Sequence, residues 1–175
     1  MAISAFAVKV PAAEPLAEDL RRRYDATWAL GVPAHITILV PFMDPASITP
    51  EVLGRAQHEL NRTPAFSFSL GKVGRFPETA YLAPEPAAPF VAMTLALVKA
   101  FPEFPPYGGE HQGVIPHLTV AHGSALDADA AAVELQTRLL TLGAAHANCT
   151  EVALIENSSG RWQDLHTFRL PQAAT

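Results

Sequence analysis

Two histidine–threonine pairs are the residues of this sequence best suited to chemistry. His35 and Thr37 lie in a His-Ile-Thr-Ile segment, and His117 and Thr119 lie in a His-Leu-Thr-Val segment. In a strand, residues two apart point to the same face, so each segment would place an imidazole beside a hydroxyl. The aliphatic residues between them would anchor the opposite face in a core. Because the ordinary pKa of histidine is about 6.5, both imidazoles could accept or donate a proton near neutral pH.

Two such imidazoles on opposite sides of a phosphodiester could divide the work of hydrolysis. One would deprotonate the attacking water and the other would protonate the leaving alkoxide, each contributing roughly 10²–10⁴ in rate. The threonine hydroxyls could donate hydrogen bonds to the non-bridging oxygens, where negative charge develops. No cluster of histidines and carboxylates with metal-ligand spacing lies near either motif in the sequence. We therefore predict neither a metal site nor a cofactor.

The motif alone is weakly specific. With 7 histidines in the chain, about one His-x-Ser/Thr is expected by chance, and a third occurs at residues 122–124, where a glycine suggests a turn. The alternative is structural: both histidines would be ordinary strand residues, and the threonines would be there because of their high β-propensity. The repetition of the pattern after a proline, at corresponding places of two half-repeats, favours the catalytic interpretation.

The elements that must position these pairs occur twice in the same order. After an opening strand near residues 3–10, each half predicts a helix, the motif strand, a second helix, a strand, a turn and a last strand. In the first half the later elements lie near 50–60, 66–70, 74–79 (the turn) and 81–83. In the second half a helix from Pro89 and a Pro/Gly-rich loop at 102–113 precede the motif, and a helix capped by Asp127 and strands near 150–155 and 165–170 follow it. We predict an α+β fold: one domain over residues 1–175, duplicated and bilobal. Its two mainly antiparallel sheets would be flanked by helices, with a cleft between the lobes.

Composition limits the possible partners. The 175 residues are 49% apolar, which is enough for a sizeable core, and the net charge is −5. We expect no broad cationic surface for long nucleic acids, and we interpret residues 21–23, three arginines, as a solvated helix face. No apolar run approaches the roughly 18 residues of a membrane span, and the first residues lack a signal-peptide pattern. With one cysteine there is no internal disulfide. We expect a cytoplasmic monomer that does not bind membranes.

The sequence around the motifs resembles the 2H phosphoesterase superfamily, and specifically its 2′-5′ RNA ligase-like branch. The resemblance covers nearly the whole chain and includes the blocks at 35–42, 74–77, 81–84, 105–109 and 116–121. It implies that His35 with Thr37 and His117 with Thr119 are the catalytic pairs. It also implies metal-independent chemistry on 2′,3′-cyclic phosphates or 2′-5′ linkages, usually in the direction of hydrolysis, although some members join RNA ends.

Four further residues are candidates for substrate binding. Members that act on RNA often carry an arginine where this chain has His122, which favours a small cyclic phosphate or nucleotide here; His122 could equally be a plain turn residue. Arg75 could neutralise phosphate or be a surface arginine. Tyr107 could cover the site, stack on a base or simply pack within its loop. Phe42 could line a base pocket or belong to the core.

The sequence thus predicts a metal-independent phosphoesterase, of the cyclic phosphodiesterase type, acting on a small cyclic phosphate, a nucleotide or an RNA terminus. His35 and His117 would be general base and general acid, in an order that the sequence leaves open. Three alternatives remain: a metallohydrolase, a catalytically idle module that binds nucleotides or RNA ends in the same cleft, and a structural domain with both histidines packed away.

Overall fold

Eight strands form two four-stranded antiparallel sheets in the computed structural model, which describes residues 1–175. The strands are β1 (Ser4–Lys9), β2 (His35–Phe42), β3 (Phe66–Phe76), β4 (Thr79–Glu85), β5 (Leu118–His122), β6 (Ala145–Cys149), β7 (Glu151–Glu156) and β8 (Gln163–Arg169). The helices are α1 (Glu14–Tyr24), α2 (Ala26–Ala29), α3 (Pro50–Leu60), α4 (Ala88–Ala100) and α5 (Ala125–Leu142). The mixed α/β fold with two antiparallel sheets and flanking helices confirms the predicted fold class.

Each sheet combines strands from both halves of the chain. The first sheet has the order β2-β1-β7-β8 and the second has the order β5-β4-β3-β6. Each motif strand is therefore an outer strand, and each sheet joins one motif strand to the hairpin that ends the other half. The lobes consequently do not coincide with the two sequence repeats.

The helices are exchanged between the sheets in the same way. Helix α1 precedes the motif strand β2 but packs against β5, the other motif strand, and helix α4 precedes β5 but packs against β2. A buried hydrogen bond fixes the second contact, because Thr94 Oγ1 on α4 donates to the carbonyl of Ile38 on β2 (2.7 Å). Helices α5 and α3 pack beside α1 and α4, respectively. Each motif strand is thus supported by the helix that leads into the other one.

The local differences from the predicted elements have structural causes. A turn was predicted at 74–79, but strand β3 continues to Phe76, and a bulge after Leu70 accommodates Gly71 within it. The cap of α5 is Ser124, whose Oγ accepts the Asp127 N–H (3.0 Å), so Asp127 lies in the first turn and is not the cap. Strand β6 was not predicted, although Ala145, Ala147 and Cys149 alternate with polar residues.

A single cluster of 36 buried apolar residues draws on both sheets and on helices α1, α3, α4 and α5. None of the five helices combines the length and the hydrophobicity that a bilayer crossing requires.

Candidate active site

The two motifs have the same burial pattern. His35 and Thr37 are partly exposed and alternate with Ile36 and Ile38, which are at most 2% exposed. His117 and Thr119 alternate in the same way with Leu118 and Val120, which are completely buried. The predicted alternation is confirmed in both copies: the aliphatic residues fix each segment to the core, and the histidine and the threonine share the other face.

Both histidines are held in the same orientation by the backbone. His35 Nδ1 lies 2.9 Å from the carbonyl oxygen of Pro33, and His117 Nδ1 lies 2.7 Å from that of Ile115. A carbonyl oxygen only accepts hydrogen bonds, so each Nδ1 must carry the proton. The neutral rings are therefore the tautomers whose Nε2 has a free lone pair, the form that a general base needs.

The motif strands of the two sheets lie next to each other, with Cα atoms of β2 and β5 within 8 Å. The 3-10 turn at Pro106–Gly109 packs against β2 as well. The positive charge that His117 carries when protonated also acts on His35, where it lowers the pKa. The structure thus brings the two predicted pairs to one junction between the sheets.

The two imidazoles differ in their surroundings. Burial, which disfavours the charged ring, lowers the pKa of His35 to about 4, and the nearby guanidinium of Arg21 acts in the same direction. Burial also lowers the pKa of His117, helped by charge on His111 and His122. Both rings are consequently neutral at pH 7 when no anion is bound.

Aromatic rings surround His117. Phe76 meets it edge-on with the ring centroids 5.2 Å apart, Tyr81 lies at 5.4 Å, and Tyr107 is stacked on it at 6.4 Å. These rings enclose the imidazole of His117 and account for the burial that lowers its pKa. Phe76 and Tyr81 were not predicted as site residues. Both lie on the hairpin of β3 and β4, and the alternation of the residues around them in each strand could have placed the two rings on one face.

Tyr107 has an unusual backbone conformation. Its φ is +52°, in the left-handed region that residues other than glycine rarely occupy, and two glycines follow it. Burial raises the pKa of its hydroxyl group. Since its turn packs on β2 while its ring stacks on His117, Tyr107 lies at the junction of the two sheets, consistent with the prediction that it covers the site.

A β-bulge brings His122 to the face of the sheet that carries His117. Ala80 pairs with Ala121 while Tyr81 pairs with Thr119, so Val120 is an extra residue in β5. Val120 and Ala121 are consequently both buried, and the alternation shifts by one residue. Without the bulge, a residue five positions after the histidine would point to the opposite face. His122 is exposed, and its Nδ1 shares a hydrogen bond of 2.8 Å with Thr79 Oγ1.

The structure assigns the other two substrate-binding candidates to packing. Arg75 lies between Gly74 and Phe76 on β3, so it points away from the face that carries His117 and forms an ion pair with Asp129 of α5. Phe42 is 3% exposed and packs edge-on against the rings of Phe101 and Phe104. For both residues these contacts favour the alternative to substrate binding, a surface arginine paired with Asp129 and a phenylalanine of the core.

Gly74 makes room for one of the rings around His117. A Cβ atom at this position would lie 2.3 Å from two ring carbons of Tyr81. We expect Gly74→Ala to displace that ring and to destabilise the fold by about 1–3 kcal/mol, as overpacking typically does. Urea unfolding measures this change.

Gly54 provides the matched control, because a Cβ there would meet nothing within 4 Å on the exposed side of α3. Gly54→Ala should raise stability by roughly 0.5–1 kcal/mol, the usual gain in a helix interior. Equal effects of the two substitutions would contradict the close contact at Gly74.

No three histidine, cysteine, aspartate or glutamate side chains lie together in an arrangement that could hold a metal ion.

Comparisons with known proteins agree with this architecture. A family model described as the 2′-5′ RNA ligase superfamily matches residues 8–161. A Bacillus cytotoxicus protein named "Putative phosphoesterase" is 32% identical over 115 residues, and the match spans 60% of each chain. A Bacillus anthracis protein of the same description is 29% identical over 164 residues, or 88% of each chain.

Solved structures show the same fold. E. coli LigT in complex with 3′-AMP matches with a TM-score of 0.60 and 16% identity, covering 97% of this chain and 98% of LigT. The complex of LigT with NADP+ matches with a TM-score of 0.57 and 17% identity over the same shares of the two chains.

Proposed function

The chain belongs to the 2′-5′ RNA ligase superfamily, and we propose that it is a phosphoesterase that hydrolyses a 2′,3′-cyclic phosphate or a 2′-5′ phosphodiester of a nucleotide or RNA end. The observation that carries the proposal is the pair of His-x-Thr motifs on adjacent outer strands. Each histidine has its Nδ1 proton bound by a backbone carbonyl, which leaves its Nε2 free. Two such groups supply the base and the acid that a phosphodiester needs.

His35 is the general base in this proposal. Its burial keeps the imidazole neutral over the physiological pH range, so Nε2 can take a proton from water as the water oxygen attacks phosphorus. The Nδ1 proton stays on the ring and remains hydrogen-bonded to the carbonyl oxygen of Pro33, which stabilises the imidazolium that forms. The hydrogen bond at Nδ1 thus fixes the tautomer and leaves Nε2 as the nitrogen that accepts the proton.

His117 is the general acid. Its Nε2 donates a proton to the ribose oxygen as the bond between that oxygen and phosphorus breaks. The free ring is neutral at pH 7, but a bound phosphate anion raises the pKa of a nearby histidine because opposite charges favour the protonated form.

Thr37 and Thr119 bind the non-bridging oxygens. Their hydroxyl groups lie on the same faces as the histidines, and hydrogen bonds to those oxygens strengthen as charge builds up in the transition state. His122 provides a further donor beside the second motif, and Thr79 holds it through Nδ1. An imidazole grips phosphate less firmly than a guanidinium, which supports a small substrate.

Two further observations support a small nucleotide as the substrate. The net charge of −5 does not suit a long polyanion. The structures of the related fold in E. coli LigT hold 3′-AMP, NADP+ and phosphate.

An idle binding module is the second candidate. It is favoured by the lowered pKa values of both imidazoles, since a site with two neutral histidines lacks a proton donor until an anion binds.

A substrate screen separates the two candidates. We expect multiple turnover of at least one of the 2′,3′-cyclic nucleotides, 2′-5′ dinucleotides or ADP-ribose cyclic phosphate, with the same rate in excess EDTA. The measurement is product formation by chromatography, with the His35→Ala/His117→Ala double variant as the blank. Nucleotide binding by calorimetry without turnover of any compound would establish the idle module. Loss of activity in EDTA would indicate a metallohydrolase.

A further inference from the structure

Arg21 is the charged residue whose position differs most from what its sequence suggests. It belongs to the three arginines predicted as a solvated face, yet it is 1% exposed. Arg22 and Arg23 do pair with Asp19 at the surface. Arg21 follows Ala17 by one helical turn on α1, on the apolar side of the helix, and this spacing is the signal that could have located it.

A small buried network holds the guanidinium of Arg21. Its Nε donates to Asp25 Oδ2 (3.1 Å), and its Nη2 donates to Thr27 Oγ1 (3.2 Å). Asp25 is 7% exposed and also accepts the backbone N–H and the hydroxyl of Thr27, at 3.0 and 2.8 Å. The third nitrogen, Nη1, is buried and has no hydrogen-bond partner.

Burying this network costs free energy that an apolar contact between the helix and the loop would not. A buried ion pair seldom stabilises a fold more than apolar residues of the same volume, and an unpartnered donor adds to the cost. A purely structural role therefore gives no reason for a charge at this position.

The network controls the segment that leads to the first motif. Asp25 caps the short helix α2, and the carbonyl of Thr27 accepts hydrogen bonds from the N–H groups of Leu30 and Val32. His35 follows three residues later. Helix α1 itself packs against β5, which belongs to the second motif. Arg21 thus lies on a helix that packs against the second motif strand and leads through α2 into the first.

We propose that Arg21 is a positioning residue of the active site, which holds the approach to His35 through Asp25 and Thr27 and whose fixed positive charge adds to the effect of burial on that imidazole. This inference rests on the proposed function, in which His35 acts as the base. A base must be unprotonated to accept a proton from water, and a nearby cation opposes protonation. Burial lowers the pKa of His35 most; the charge of Arg21 acts in the same direction, and Asp25 opposes it by a smaller amount.

Other charged groups also face His35 from the elements around it. Lys9 is its register partner on β1 and forms an ion pair with Asp164. Glu14 of α1 accepts the N–H of Ala34. His117 adds a positive charge when protonated. Of the charged groups around His35, Arg21, Asp25 and His117 act on its pKa, and Arg21 and Asp25 can be replaced one at a time without changing either motif.

The test is the pKa of His35, measured by NMR titration of the histidine rings in the intact protein and assigned with a His35→Gln variant. Arg21→Met should raise the pKa of His35, and Asp25→Asn should lower it. The acidic limb of the kcat/KM profile should move in the same directions, to higher pH for Arg21→Met and to lower pH for Asp25→Asn. Arg21→Lys should restore the wild-type profile more closely than Arg21→Met does.

The double variant Arg21→Met/Asp25→Asn covers the case in which a single variant fails to fold, because it leaves no unpaired buried charge. Since Arg21 has the larger effect, the pKa of His35 should still rise in the double variant. Arg23→Met, on the same helix as Arg21, breaks surface ion pairs with Asp19 of α1 and Glu134 of α5 and should leave the pKa of His35 unchanged.

An unchanged pKa of His35 in the double variant, or shifts of the same sign in both single variants, would overturn the inference. The NMR readout does not need turnover. A wild-type protein that is inactive on every substrate therefore refutes the proposed function and not the influence of Arg21 on His35.

Discussion

Replacing His35 or His117 with alanine is expected to lower kcat/KM on the best substrate by about 10²–10⁴ for each histidine, the usual contribution of a general base or acid. Both side chains lie partly exposed, and the aliphatic residues beside them hold each motif in the core, so the fold should persist. Steady-state kinetics gives the loss, and circular dichroism with a urea midpoint gives the stability. Full activity in either variant would contradict the two-histidine mechanism.

Substrates with different leaving groups would assign the two roles. A nucleoside phosphodiester of 4-nitrophenol needs no proton on its leaving oxygen, because nitrophenolate is a stable anion. We expect the activity of the His117→Ala variant to be largely restored on this substrate, whereas that of the His35→Ala variant should stay low. Restoration in the His35→Ala variant alone would reverse the assignment of base and acid.

Removing the hydroxyl groups beside the histidines should have the next largest effect. We expect Thr37→Val and Thr119→Val each to lower kcat by about 10²–10³, the typical cost of losing one donor to a developing negative charge. Valine has the shape and the strand preference of threonine, so the strands should be undisturbed.

Serine is the matched control for these threonines, since it keeps the hydroxyl and loses only the methyl group. Thr37→Ser and Thr119→Ser should keep most of the activity. If valine and serine were equally harmful, the methyl group and its packing would matter, and the hydrogen-bond role would be excluded. If valine were harmless at both positions, neither threonine would bind the phosphate in the transition state.

The local pattern was enough to predict the motif strands. The alternation of His35, Ile36 and Thr37 has only one arrangement that buries the isoleucine, and the same holds for the second motif. The pairing of the sheets could not be predicted in the same way, because the period of a strand shows which face is buried but not which strand lies beside it. The exchange of hairpins between the two halves is therefore invisible to periodicity.

The position of His122 shows where the sequence signal ends. Its separation from His117 is odd, which predicts opposite faces, and only the extra residue in β5 opposite β4 corrects this. A bulge depends on the partner strand as much as on its own sequence. Arg21 illustrates the converse case. Its helical spacing contained the signal, but three consecutive arginines suggest solvent exposure until the partner Asp25, four residues on, is taken into account.

The exchange of helices between the sheets has a consequence for how the gap between the imidazoles is maintained. Helix α1 leads into the strand of His35 while supporting the strand of His117, and α4 does the reverse. The two repeats are therefore interlocked: neither could rotate away from the other without losing the helix that supports its motif strand. One repeat expressed by itself would lack the helix that packs on its own motif strand. The distance between the two imidazoles therefore depends on both repeats together.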